Sequence, residues 1–236
     1  MAIVTADYPF RQERYTLWRY VIRDFLLRTL GFHVLVKVDV QGLDHIPADG
    51  PTLLIMNHIG AIDPVVVVGA VTPRFAVPMS KIENFSLPIF GRLLRFWGAY
   101  PVRRDQVDRP AVQNTLDLLR EGHLVLIAPE GTRQPALIRA KVGAAYAATR
   151  TGATIIPIGI DGTREFTHNL KRLRQTQITL RIGRAFRFRR QGQVPRRQLP
   201  PMMDEAMYRI AALLPEHRRG YYADLPNATT DTIEFV

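Results

Sequence analysis

A histidine and an aspartate, His58 and Asp63, stand five positions apart in "NHIGAID". A carboxylate that reaches an imidazole fixes its tautomer and leaves the second ring nitrogen free to take a proton, which is general-base chemistry. The neighbouring pattern favours that reach. "TLLIM" reads as a buried strand, so Asn57 and His58 emerge at its carboxyl end. Asp63 followed by Pro64 reads as a helix start, with Asp as the cap and Pro at the first helical position. Gly60 lets the short loop between them double back. The same spacing also suits a helix cap beside an unrelated loop histidine, so alone it does not establish chemistry.

Two more segments end the same way. "WGAYPVRRD" is an apolar strand with Arg103 and Arg104 at its carboxyl end, and "LVLIAPEGTRQ" ends in Glu130, Gly131, Thr132 and Arg133. Gly131 permits a tight turn whose backbone N–H groups can face an anion. Arg103 and Arg133 suit a bidentate clamp on a phosphate. Lys81 is a weaker candidate for the same pocket, because a lone lysine is usually solvated. "PEGTR" by itself also reads as a surface turn with a self-paired Glu–Arg couple. Three charged clusters at the ends of successive strands point instead to one site, because ligands of open α/β sheets bind at the carboxyl edge.

The elements that must position these residues follow from periodicity. "HVLVKVDV" (33–40) alternates as a half-buried strand. Apolar runs "TLLIMN", "RFAVPM", "GAYPVR", "HLVLIAP" and "TIIPIGI" alternate with helical stretches near 64–70, 86–96, 109–121 and 141–150. That order predicts an α/β fold, a mostly parallel central sheet flanked by helices on both faces. "QITLRIGRAF" (177–186) reads as an edge strand and 199–215 as a final amphipathic helix. The stretch 14–32 reads as an N-terminal amphipathic helix with Trp18, Val21, Ile22 and Phe25 on one face, Arg19 and Arg23 away from it, and Gly31 as its stop. Such a face suits either a bilayer interface or the protein's own core. The expected division is a helical membrane-contact element over 1–32, one catalytic domain over 33–222 and a tail over 223–236.

Composition narrows the chemistry further. The 236 residues contain no cysteine, which excludes disulfides, thiolate ligands and thioenzyme intermediates. The formal charge is +11, and with only Lys37, Lys81, Lys141 and Lys171 as lysines, 28 of the 32 basic residues are arginine. That bias fits a phosphate-bearing partner, whether an anionic lipid surface, a small molecule or nucleic acid. "RAFRFRRQGQVPRR" interleaves aromatics with arginine, as a nucleic-acid patch or a solvated basic edge would. No apolar run approaches the ~18 residues of a spanning helix, and the start lacks a signal-peptide pattern. No His, Asp or Glu cluster has metal-ligand spacing, so no metal is expected.

With these segments in this order, the chain resembles the glycerolipid acyltransferase family, the 1-acylglycerol-3-phosphate acyltransferases. The N-H-x4-D motif falls on Asn57, His58 and Asp63. A Gly-led strand ending in Arg falls on Gly98 to Arg103, P-E-G-T-R on Pro129 to Arg133, and a proline-centred strand on Ile155 to Ile160. The resemblance spans residues 38–222. Two positions depart from the common pattern: Gly60 and Gln134, where many members carry serine.

The resemblance implies that His58 is general base on a lysophospholipid hydroxyl, which attacks the thioester of acyl-CoA or acyl carrier protein. Asp63 would orient the ring. Asn57, Lys81, Arg103, Glu130, Gly131, Thr132 and Arg133 would form the substrate-binding set around a phosphate. The expected acceptor is 1-acylglycerol-3-phosphate, giving phosphatidic acid, with no cofactor beyond the acyl donor. The expected location is the cytoplasmic face of a membrane, peripheral or monotopic on an anionic surface, with no nucleic-acid partner. Alternatives are another lyso-lipid or glycolipid acceptor, or a non-catalytic basic protein binding lipid or nucleic acid.

Overall fold

A computed structural model describes residues 11–104 and 108–236. Helix α1 (Thr16–Tyr20) continues directly as a π-helix over Val21–Leu35 and feeds strand β1 (Val36–Gln41). The chain then runs through β2 (Thr52–Met56), α2 (Asp63–Ala70), β3 (Ala76–Lys81), α3 (Phe90–Trp97), β4 (Tyr100–Val102), α4 (Arg109–Arg120) and β5 (Leu124–Ile127). After these come α5 (Gly143–Thr151), β6 (Thr154–Asp161), α6 (Phe166–Lys171), β7 (Thr176–Ile182), β8 (Phe186–Phe188), α7 (Leu199–Ala211), α8 (Glu216–Arg219) and β9 (Ile233–Phe235).

The strands order as β1-β7-β6-β2-β5-β3-β4, with β8 beside β6 and β9 beside β8. Strands β2 to β6 all run parallel, whereas β7 is antiparallel to β6. The α/β, mostly parallel architecture is therefore present. Each apolar strand feeds both faces: Leu53 and Ile55 enter one core, and Leu54 and Met56 the other. Helices α4, α5 and α7 cover the first face, and α2 with the N-terminal helix covers the second. This two-sided burial explains why β2 is buried at all five positions and reads as a continuous apolar run rather than an alternating one.

Three sequence expectations change. Gly31 does not stop the first helix: the N–H of Val36 still bonds back to Gly31, five residues earlier, so the helix holds to Leu35 and β1 starts at Val36 rather than His33. Strand β7 is interior, because β1 pairs along its full length and Arg181 reaches across to Asp39 at 2.6 Å. The segment after 222 also joins the sheet, with β9 paired to β8 and its approach held by Glu205, which accepts from the N–H groups of Asp231 and Thr232.

The N-terminal helix is docked with its polarity reversed. Arg19 and Arg23 are only 3% and 6% exposed, whereas Leu17, Trp18, Val21 and Phe25 lie open at 72%, 46%, 44% and 62%. Arg19 donates from Nε to the Trp97 carbonyl at 2.7 Å, and the Arg23 guanidinium lies 4.3 Å from the Phe75 ring centroid. The planar guanidinium tolerates this burial because it stacks and hydrogen-bonds at once. Ile22 alone of the expected apolar face turns inward.

Candidate active site

Because β2 to β6 are parallel, their carboxyl ends share one edge of the sheet. Asn57 and His58 leave β2 there, Lys81 ends β3, Arg103 follows β4, Glu130 follows β5, and Asp161 ends β6. Asn57 is buried and spends its amide on the backbone of Ile160, donating to its carbonyl at 2.9 Å and accepting from its N–H at 2.8 Å. That pair pins the end of β2 to β6 and fixes where His58 begins.

The His58 ring meets Asp63: Nδ1 lies 2.8 Å from Oδ2. Asp63 is fully buried. The same Oδ2 accepts from the N–H groups of Ile59 at 2.7 Å and Gly60 at 2.8 Å, and Oδ1 accepts from the Thr163 hydroxyl. Every one of these partners is a donor, which matches an acceptor-only carboxylate. Nδ1 is therefore the ring nitrogen placed to donate to Asp63, an arrangement that leaves Nε2 free to accept a proton. Asp63 does not cap its own helix as the sequence suggests; α2 begins without a side-chain cap, and the carboxylate turns back onto the loop that precedes it.

The backbone of His58 is gripped from the β5 side. Its N–H donates to Glu130 Oε1 at 3.0 Å, and its carbonyl accepts from the Gln134 N–H at 2.8 Å. Glu130 is 3% exposed, and its other oxygen accepts from the Ile138 N–H at 3.1 Å. Burial outweighs those two bonds and pushes the Glu130 carboxyl up to about 7, with the nearby Asp63 charge adding to the rise. Glu130 thus holds the histidine loop with one oxygen and ties it to the Ile138 segment with the other. Gln134 contributes through its backbone, which any residue type supplies.

The basic residues expected around a phosphate lie further out. Arg103, Thr132 and Arg133 are exposed. The Arg103 N–H bonds Asp108 at 2.7 Å, and Lys81 pairs with Glu83 at 3.2 Å. Gly131 has φ +71°, as the tight turn requires, but its N–H closes that turn onto the Ala128 carbonyl rather than facing outward. Sequence reasoning missed Lys141, whose ammonium lies against the Gly131 turn and 3.5 Å from the Arg104 carbonyl. It also missed Thr163, a hundred residues from its partner. A groove of about 530 Å³ lies elsewhere along this edge, lined by Lys37, Asp39, Asp161 and Gln177, and does not include His58 or Arg103.

The comparisons with known proteins settle the lineage. The acyltransferase family pattern matches residues 37–161, which hold His58, Asp63, Arg103 and the Glu130–Arg133 run. The chain belongs to the acyltransferase family. It is 30% identical over 145 residues to a chloroplastic 1-acyl-sn-glycerol-3-phosphate acyltransferase of Arabidopsis thaliana, covering 58% of this chain and 40% of that one. To the Bacillus subtilis 1-acyl-sn-glycerol-3-phosphate acyltransferase it is 29% identical over 125 residues, covering 53% and 63%. The crystal structure of the 1-acyl-sn-glycerophosphate acyltransferase PlsC from Thermotoga maritima superposes with a TM-score of 0.59 at 23% identity, over 74% of this chain and 71% of that one. This chain therefore spans less than two thirds of those curated relatives. The family match ends at Asp161, just short of Thr163.

Proposed function

We propose that this chain moves a fatty acyl group from a thioester, acyl-CoA or acyl carrier protein, to the hydroxyl of a lysophospholipid. The preferred acceptor is 1-acylglycerol-3-phosphate, the acceptor named for its relatives in Arabidopsis and Bacillus, and the product is then phosphatidic acid. The observation that carries the reading is the buried His58–Asp63 pair at 2.8 Å, with Asp63 held by three further donors.

In this reading His58 Nε2 takes the acceptor's hydroxyl proton as the oxygen attacks the thioester carbonyl carbon. The tetrahedral adduct collapses, the carbon–sulfur bond breaks, and the imidazolium returns its proton to the leaving thiolate. The products are an ester and a free thiol. Asp63 holds the ring and offsets the charge that forms on it, as in the acid–base half of a serine triad, with the acceptor oxygen in place of serine. Arg103 and Arg133, with Lys81 and Lys141 as additional cations, would hold the acceptor's phosphate from the solvent side. A phosphate remote from the reacting hydroxyl supplies binding energy for orientation. Asn57 and Glu130 act by fixing the loop rather than by touching substrate.

Both substrates carry long chains, so the enzyme must work at a bilayer surface. Among the described residues no helix is long and apolar enough to cross a membrane. The reversed N-terminal helix supports a peripheral contact instead, since its apolar side faces outward. Trp18 stacks on Phe96 at 4.7 Å and joins that surface to exposed Leu87 and Ile89 near α3, with exposed Arg92 and Arg95 beside them. The cytoplasmic leaflet is the anionic surface this charge suits. The test is a labelled acyl-CoA assay against a panel of lyso-lipids. Transfer to lysophosphatidate above the other acceptors supports the reading, and equal transfer to acceptors without phosphate removes the phosphate-holding role.

A further inference from the structure

Asp63 Oδ1 takes its hydrogen bond from a distant part of the chain. The hydroxyl of Thr163, itself 2% exposed, donates to it from the turn that follows β6. Two glycines make that approach possible. A Cβ on Gly60 would lie 2.6 Å from Thr163 Oγ1 and 2.9 Å from its Cβ, closer than real side chains come. Gly162, with φ +92°, turns the chain so that Thr163 points inward, and a Cβ there would meet the Gln177 carbonyl at 2.1 Å. The histidine loop and the β6 turn are thus fitted to each other across a separation of 100 residues.

Resting on the acyltransferase reading, we propose that Thr163 is a positioning residue for the His58–Asp63 pair and that Gly60 exists to admit it. Oδ2 already carries three donors: the His58 ring and the Ile59 and Gly60 N–H groups. Thr163 fixes the other oxygen, and with it the plane of the carboxylate. A carboxylate held at both oxygens cannot rotate, so the imidazole it orients keeps one angle toward the incoming hydroxyl. Without the hydroxyl, a fully buried oxygen loses its partner and the pair loosens. Bulk at position 60 and the hydroxyl at 163 therefore compete, since a Cβ at 60 would meet Thr163 Oγ1 first and the Thr163 Cβ and backbone behind it.

The test combines turnover with a readout that needs no substrate. Thr163→Val keeps the shape and removes the hydroxyl; it should lower kcat about tenfold or more with KM little changed. Thr163→Ser should restore most of it. The Nδ1–H proton resonance of His58 should shift and broaden in Thr163→Val and return in Thr163→Ser. Gly60→Ala should cost at least as much as Thr163→Val, because its Cβ also meets the Thr163 Cβ and backbone. Gly60→Ala with Thr163→Ala should cost less than the sum of the two single losses, because both changes break the one contact between Thr163 and Asp63. Fully additive losses, or a Thr163→Val protein with wild-type resonance and kcat, would overturn the proposal. A resonance that moves in a protein whose wild type transfers no acyl group sustains the positioning role and removes the enzyme reading instead.

Discussion

At the scale of single residues, the site is built from donors and acceptors that match. Among the described residues Asp63 accepts from the Ile59 and Gly60 N–H groups and the Thr163 hydroxyl, and its remaining partner is the His58 ring. Asp63→Asn would replace one of its oxygens with an NH2 group that meets donors head-on. Turnover should fall about a hundredfold or more, since general-base help of that order is lost. The fold should also weaken by about 1–3 kcal/mol, seen as a lower denaturation midpoint. Near-normal turnover in a folded Asp63→Asn protein would rule out the orienting role. Glu130 makes a pH prediction. Its carboxyl stands at about 7 in the fold against 4.5 in the unfolded chain. The folded state keeps a proton that the unfolded state releases, so its stabilising effect is full below pH 4.5 and is lost as pH rises towards 7. Denaturant midpoints should decline over that window in the wild type more steeply than in Glu130→Ala, and equal slopes would contradict the assignment. His58 and Asp63 were legible because they are neighbours in sequence. Thr163 was not, because it reaches Asp63 only through the β2–β6 pairing that aligns Met56 with Ile158.

At the scale of elements, periodicity exposes the strands and helices but not which way an amphipathic helix faces. The sequence places Trp18, Val21 and Phe25 on one stripe and Arg19 and Arg23 off it; only the packing reveals that the arginines point inward. Hydropathy scales count a guanidinium as solvent-facing, whereas here Phe75, Trp97 and the Trp97 carbonyl supply it with partners. Two variants separate the consequences. Arg23→Ala should lower the thermal midpoint, since it removes the stack on Phe75 and a bond to the Thr72 carbonyl at 3.3 Å. Phe25→Ser should leave stability within about 0.5 kcal/mol of wild type yet reduce flotation with vesicles. If Phe25→Ser bound vesicles as well as wild type, the outward face would not be the lipid contact. The end of this helix escaped sequence reading because valines alternate from Val34 to Val40, and nothing local marks the point where the i→i−5 bonding stops at the Val36 N–H.

At the scale of the whole molecule, one sheet edge gathers residues from five parallel strands, in a chain whose formal charge is +11. The gathering was legible, since parallel strands must share a carboxyl edge. The distances were not: the cations stand at the surface while the histidine pair is buried, and no pattern of spacing conveys depth. Surface charge of this size should make binding to vesicles of anionic lipid weaken as salt rises above about 0.1 M, where the Debye length falls below roughly 10 Å. Binding that is indifferent to salt and to lipid charge would assign the contact to the apolar helix alone. The central claim is that the His58 imidazole draws the proton from the acceptor alcohol. Its most direct test is the single-turnover rate of acyl transfer from labelled acyl-CoA to lysophosphatidate, measured on wild type and on His58→Ala of equal thermal midpoint. The rate should drop by about 10²–10⁴-fold in His58→Ala, the range of general-base catalysis. A His58→Ala protein that transfers acyl groups at the wild-type rate would contradict the account.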